Sequence, residues 1–203
     1  MRKIRWVGVF LIGLALMACG GGVTYPVSLR YQPLGKYPRF EQKFGSTLAV
    51  PPFQDERKET FYIGYHRPLR GSSSHFKSDP FPLERAVQEA LPHLLSKQGV
   101  RLIPISSWDG TPESLKDMEA DSVLMVRIKE FWSQGIATTV GTRIKTSIRL
   151  TLQLGVKQEK RVYSRNVEME KEVTVSRSTP ERVGEIINQM LTDLLDSYFS
   201  NPY

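Results

Sequence analysis

The single cysteine among 203 residues, Cys19, stands directly after a run of apolar side chains and directly before three glycines. A thiolate is a strong nucleophile, which makes Cys19 the residue best suited to forming a covalent bond. With no second cysteine there is no internal disulfide, so the fold must be held by its core. The three histidines, His66, His75 and His93, form no His-x-x-x-His pair and have no ligand partners at zinc-site spacing. Ser72, Ser73 and Ser74 follow Gly71 as a loop tip would, without the Gly-x-Ser-x-Gly elbow of a serine hydrolase. Asp55 and Asp79 are carboxylates whose separation nothing in the sequence fixes, and a glycosidase depends on that separation. Gly20-Gly21-Gly22 does not follow a strand as a phosphate-cradling loop does. The expectation is a protein without catalytic residues, metal or cofactor.

Aromatic and cationic residues concentrate between residues 54 and 80. Phe61, Tyr62, Tyr65 and Phe76 interleave with Arg57, Lys58, His66, Arg67, Arg70, His75 and Lys77. Cations beside aromatic planes suit anionic sugars, phospholipid headgroups or a protein surface. Tyr62, Tyr65 and Arg67 are therefore candidate partner-binding residues. The structural alternative is that the aromatics pack the segment onto the domain while the cations stay solvated.

The elements that position these residues begin with an export signal. Arg2, Lys3 and Arg5 precede an apolar run from Trp6 to Met17. A charged start, a short apolar core and small residues at the end mark a secretory signal. The run is about 12 residues, against the roughly 20 that a membrane-crossing helix needs. Leu16-Met17-Ala18-Cys19 resembles a lipobox, the tetrapeptide read by bacterial lipoprotein-processing enzymes. That resemblance implies a diacylglyceryl thioether on Cys19, removal of residues 1–18 and acylation of the new amine. Several acyl chains on one residue suffice for stable anchoring, whereas one does not. Gly20 stands where some Gram-negative lipoproteins carry an inner-membrane-retaining aspartate, which points to the outer membrane, facing the periplasm. Cleavage takes the formal charge from +7 to +4 over 185 residues. Export excludes cellular nucleic acid as a normal partner.

Residues 19–44 read as a lipidated N-terminus and tether, with glycines for slack and Pro26, Pro33 and Pro38 against a helix. Val27, Leu29 and Tyr31 alternate with Ser28 and Arg30, as in a short edge strand. Residues 45–203 read as one domain, with a strand over Thr47–Val50 and then a long loop at about 54–80, which shows no sustained period. A helix is predicted from about Phe81 to Gln98, started by Asp79, bent at Pro92 and ended by Gly99. Val100–Ile105 is a strand, Thr111–Glu119 a short helix and Ser122–Trp132 a strand. From Ile144 to Val156 apolar or small residues occupy every even position and polar ones the odd positions to Gln153, which predicts one buried and one wet face. Val162–Val175 returns as a hairpin arm. The last helix starts at Ser178 or Thr179 and keeps its apolar period from Val183 to Phe199. The fold expected is α+β: a mostly antiparallel sheet with two long amphipathic helices packed on one face.

Leu48-Ala49-Val50, Asp55-Glu56-Arg57, Ile63-Gly64 and a helix ending in Gly99-Val100, with Ala120-Asp121 before a later strand, resemble the YajG-like lipoproteins of Gram-negative bacteria. The layout is more distantly similar to the auxiliary lipoproteins of lipid-handling ABC transporters and to lipoproteins that activate peptidoglycan synthases. The long aromatic insertion between Gly64 and Leu83 and the Pro51-Pro52 pair depart from the YajG-like pattern. The resemblance implies anchoring and a binding role among envelope proteins, lipids or glycans. Asp55 and Arg57 are expected to pair and pin the segment after the strand, Ile63 to bury, and Gly64 to permit a turn, with ligand binding as the second reading of this motif. The leading expectation is a non-enzymatic, outer-membrane-anchored binding protein. A subunit of a lipid-transport ABC system comes second and an envelope hydrolase third.

Overall fold

The computed structural model describes residues 22–32, 43–92 and 98–201. Leu16, Met17, Ala18, Cys19 and His93 lie outside these residues, as do the predicted signal and residues 93–97 of the predicted helix over 81–98. Nine strands form one mixed sheet: β1 (Thr24–Ser28), β2 (Thr47–Val50), β3 (Gln54–Asp55), β4 (Gly64–Arg67), β5 (Ser74–Asp79), β6 (Arg101–Pro104), β7 (Ser122–Thr138), β8 (Gly141–Val156) and β9 (Arg161–Val175). Among the described residues, the α-helices α1 (Leu83–Ala90) and α2 (Pro180–Ser200) and a 3-10 turn at Glu113–Leu115 accompany them.

The 17-residue strand β7 is the axis of the sheet. One edge pairs antiparallel with β8, which pairs antiparallel with β9. The other edge receives β2, β3 and β4 in succession, all parallel to β7. β6 adds to β2 and β1 to β5, again in parallel, while β4 and β5 form an antiparallel pair. The α+β reading holds in this coarser form, but the sheet is mixed rather than mostly antiparallel. The difference lies in β2, β3 and β4, which follow one another along one edge of β7 in its own chain direction, Leu48 opposite Ser122, Gln54 opposite Arg127 and Gly64 opposite Ser133.

Alternation along β7 explains how one strand serves two cores. Leu124, Val126 and Ile128 point to the helices, whereas Val123 and Met125 join a smaller cluster on the opposite face. A register shift between Ile128 and Glu130 inserts one residue, so beyond it the odd positions Phe131 and Ser133 turn towards the helices. A bulge of this kind reverses side-chain phase along a strand. The helix-facing core gathers Ile144, Ile148, Leu150, Leu152 and Leu154 of β8 with Val183, Ile187, Met190, Leu191, Leu194 and Leu195 of α2. Thr179 caps α2, its hydroxyl accepting from the Arg182 N–H at 3.3 Å, and Pro180 occupies the first turn.

Three expectations are corrected. The segment 54–80 is not a single irregular loop, because it contributes β3, β4 and β5 to the sheet. The segment read as N-terminus and tether is not slack throughout, since the edge strand expected around Val27 packs into the domain. β1 is a sheet strand, and Val27, Leu29 and Tyr31 are buried against α2, with the Arg30 N–H donating to Asn188 Oδ1 at 2.8 Å. Asp79 does not cap α1; it ends β5 and accepts from the Ser28 hydroxyl, and Pro82 precedes the helix without a side-chain cap. The even positions of β8 are buried as expected, but the opposite face is wet only in part. Near Gly155 it is covered by the smaller cluster of Trp108, Leu115, Ala120, Val123 and Met125.

Candidate functional site

The segment joining β3 to β5 is built from a buried ion pair upward. Asp55 and Arg57 pair at 2.8 Å with side chains only 6% and 5% exposed. The guanidinium donates through Nε to Asp55 Oδ1 at 2.9 Å and through Nη2 to Oδ2 at 2.8 Å, a bidentate fork. Its remaining donors reach the Tyr62 carbonyl at 3.0 Å, the Phe131 carbonyl at 2.9 Å and the Thr60 carbonyl at 3.2 Å. Arg57 therefore fastens residues 60–62 to β3 and to β7 just past its bulge. All its donors are taken up by this clasp.

Ile63 is buried in the main core, its N–H donating to Phe76 O and its carbonyl accepting from the Ser133 N–H. Gly64 opens β4 directly after a bend at Ile63. Its φ is +153°, and a Cβ there would stand 1.9 Å from Ser133 O, so only glycine lets β4 approach β7 so closely.

Phe76 faces the helices, so its neighbours His75 and Lys77, and Tyr65 opposite His75, lie on the other face, where Tyr62 stacks on His75. There they form a continuous aromatic strip. Phe81 and Phe61 rings are 5.5 Å apart, and Phe61 meets Tyr62 edge-on at 4.8 Å. Tyr62 stacks on His75 at 4.5 Å, Tyr65 sits opposite His75 in register, and Tyr65 contacts Trp132 at 6.2 Å. Lys77 Nζ lies 4.2 Å from the Phe61 ring centroid and 3.9 Å from that of Phe81, and the Arg67 guanidinium lies 5.6 Å from that of Tyr65. Phe61 and Phe81 are about half exposed, while Tyr62 and Tyr65 are partly buried. Tyr62, Tyr65 and Arg67 thus share one sheet face, and the aromatics both brace each other and line a surface. Phe81 and Trp132 were missed in sequence, since each reaches the strip only through tertiary pairing. An apolar residue before Pro82 gave no signal of its own.

On the helix side of β4, His66 pairs in register with Gly135, where a Cβ would stand 3.2 Å from His66 Cδ2 and 3.5 Å from Ser178 Oγ. His66 Nε2 and Ser178 Oγ are both buried and unbonded among the described residues. Burial lowers the His66 pKa by penalising the charged imidazolium. A second polar cluster centres on Asp121. Its Oδ2 accepts from the Ser46 and Thr47 N–H groups at 2.8 and 2.9 Å and from both hydroxyls at 3.0 and 2.9 Å. These bonds, led by the Thr47 hydroxyl, hold its pKa below the ordinary aspartate value. Among the described residues no group of three or more His, Cys, Asp or Glu side chains is placed to hold a metal, and no helix is long and apolar enough to cross a membrane.

By sequence, no known family and no curated protein matches the chain. Solved structures do. Protein XCC0632 from Xanthomonas campestris, assigned to family DUF330, aligns with TM-score 0.58 at 15% identity over 88% of this chain and 93% of its own. The hypothetical protein CT253 from Chlamydia trachomatis aligns with TM-score 0.47 at 11% identity, over 76% of this chain and 97% of its own. Lipoprotein GNA1162 from Neisseria meningitidis gives TM-score 0.40 at 12% identity, over 74% and 99%. At such identities the likeness is one of fold, and it is carried by the first of these: the chain is similar in fold to the DUF330 protein of Xanthomonas campestris.

Proposed function

We propose that the chain is a non-enzymatic bacterial envelope lipoprotein, anchored through acyl chains on Cys19, whose domain binds another envelope component. The observation that carries this reading is the position of the sole cysteine, directly after Leu16-Met17-Ala18 and a short apolar run. The likeness to YajG-like lipoproteins and the absence of an aspartate after Cys19 support placement on the outer membrane, facing the periplasm. The aromatic strip with Lys77 and Arg67 is the face proposed to meet the partner, since stacked rings and cations together recognise glycans, anionic headgroups or protein surfaces.

Feeding cells an alkyne-tagged fatty acid tests the anchor. The full-length chain is expected to take up label and to fractionate with the outer membrane, while the Cys19→Ser variant takes up none. Equal labelling of both chains, or an unlabelled wild type, contradicts the reading.

A further inference from the structure

Three separate stretches of chain meet at one end of the sheet. β4 runs parallel to β7, with Arg67 opposite Ile136, so the β4–β5 connection at 68–73 lies at the same end as the β7–β8 turn at 139–140. β1 starts there too, with Thr24 opposite His75, and a Cβ on Gly22 would stand 2.1 Å from Ser73 O. Each stretch carries an apolar side chain into solvent: Val140 is 84% exposed, Leu69 63% and Val23 55%. These are half of the six exposed large hydrophobic residues among those described, and they share one end of the molecule.

The same end is cationic. Arg70 precedes Gly71 in the first turn, and Arg177 follows β9, whose Val175 pairs with Thr142 beside the second turn. Neither Arg70 nor Arg177 enters an ion pair among the described residues. The carboxylates nearest by register are Glu172, which pairs with Arg143 at 3.4 Å, and Glu181 in the first turn of α2. Exposed aliphatic tips ringed by arginines suit the boundary between acyl chains and anionic headgroups.

Chain length decides what covers this end. Cys19 precedes Gly22 by three residues, so their Cα atoms are at most about 11 Å apart. We infer that this end of the sheet docks on the anionic phospholipid surface of the membrane that holds the anchor, with Leu69, Val140 and Val23 at the acyl boundary and Arg70 and Arg177 on the phosphates. The domain is held against the bilayer at a fixed tilt, not hung on a long tether. This inference rests on the proposed acylation of Cys19. The far end, at the β8–β9 turn, points away from the membrane, and the aromatic strip stays open to a partner.

The acylated full-length chain, reconstituted in phosphatidylethanolamine–phosphatidylglycerol vesicles, provides the test. The thioether blocks Cys19, so Leu69→Cys, Val140→Cys or Gln158→Cys supplies the sole thiol for an environment-sensitive fluorophore. Labels at 69 and 140 are expected to shift to the blue and lose emission to headgroup-level spin-labelled lipid, while the label at 158 does neither. Arg70→Glu combined with Arg177→Glu should abolish the shift at 69 while the protein still floats with the vesicles. Failure to float overturns the acylation and this inference together. Flotation with identical behaviour at 69 and 158 overturns the docking alone. A blue shift at 69 that appears only as protein crowds the vesicle assigns this end to a second copy, and also overturns it.

Discussion

At the scale of the residue, the Arg57 clasp has the most to lose. Removing one partner of a buried, fully bonded pair leaves an uncompensated charge, at a cost of about 3–5 kcal/mol. Arg57→Ala should therefore lower the unfolding free energy by that amount in a urea titration, and Arg57→Lys should recover only part, because an ammonium cannot make the fork. Asp55 and Arg57 were legible as a pair from their spacing and chemistry. The carbonyls of Tyr62 and Phe131 were not, since the latter lies 74 residues away. His66 yields a prediction about pH. Its folded pKa is lowered by burial, so the neutral form stabilises the fold at pH above the ordinary histidine value near 6.5, and that stability declines as pH falls from there through the folded value. His66→Gln should flatten this part of the stability profile; an unchanged slope between pH 7 and 5 would show that His66 does not set it. Asp121 acts lower on the scale. Its depressed pKa makes its bonds to Ser46 and Thr47 stabilising above the ordinary aspartate value near 3.9, and that contribution is lost as pH falls through the folded value.

At the scale of the element, α2 carries the core. Leu191 is fully buried in the cluster with Leu150, Leu152 and Leu154. Leu191→Ala is expected to cost about 2–5 kcal/mol, through lost burial and the cavity left behind, measured as the shift in denaturant midpoint at constant slope. The helical period of α2 and the two-residue period of β8 were plain in sequence because each runs long enough to declare itself. β3, β4 and β5 were not, for the opposite reason. Two to six residues give too few repeats, and their strand identity comes from the free edge of β7. β1 was half legible, since the alternation of Val27, Leu29 and Tyr31 pointed to a short edge strand while glycine and proline around it suggested slack, and all three side chains went into the core. Gly64 belongs at this scale too. Gly64→Ala should loosen the β4–β7 contact, and hydrogen exchange should then quicken at the Ser133 amide, which donates to Ile63 O.

At the scale of the whole molecule, the sheet divides its outer surface into regions of different character. One end is covered by the segment bearing Trp108 and Leu115; the middle carries cross-strand ion pairs such as Arg149 with Glu168 at 2.9 Å; the other end presents the exposed apolar turns, with the aromatic strip on the sheet face beside them. The ion pairs are exposed and contribute little to stability, but they keep the long β8–β9 face polar. The strip is the region with rings and cations left towards solvent, and its capacity to bind is the centre of the functional proposal. A photo-activatable residue placed at Tyr65 in the living envelope measures that most directly. A discrete adduct with an envelope component is expected, weakened when Tyr62 and Arg67 are replaced by alanine in a chain whose thermal melt is unchanged. An adduct that forms equally well without Tyr62 and Arg67, or no adduct beyond that seen from Gln158 at the opposite end, would contradict it.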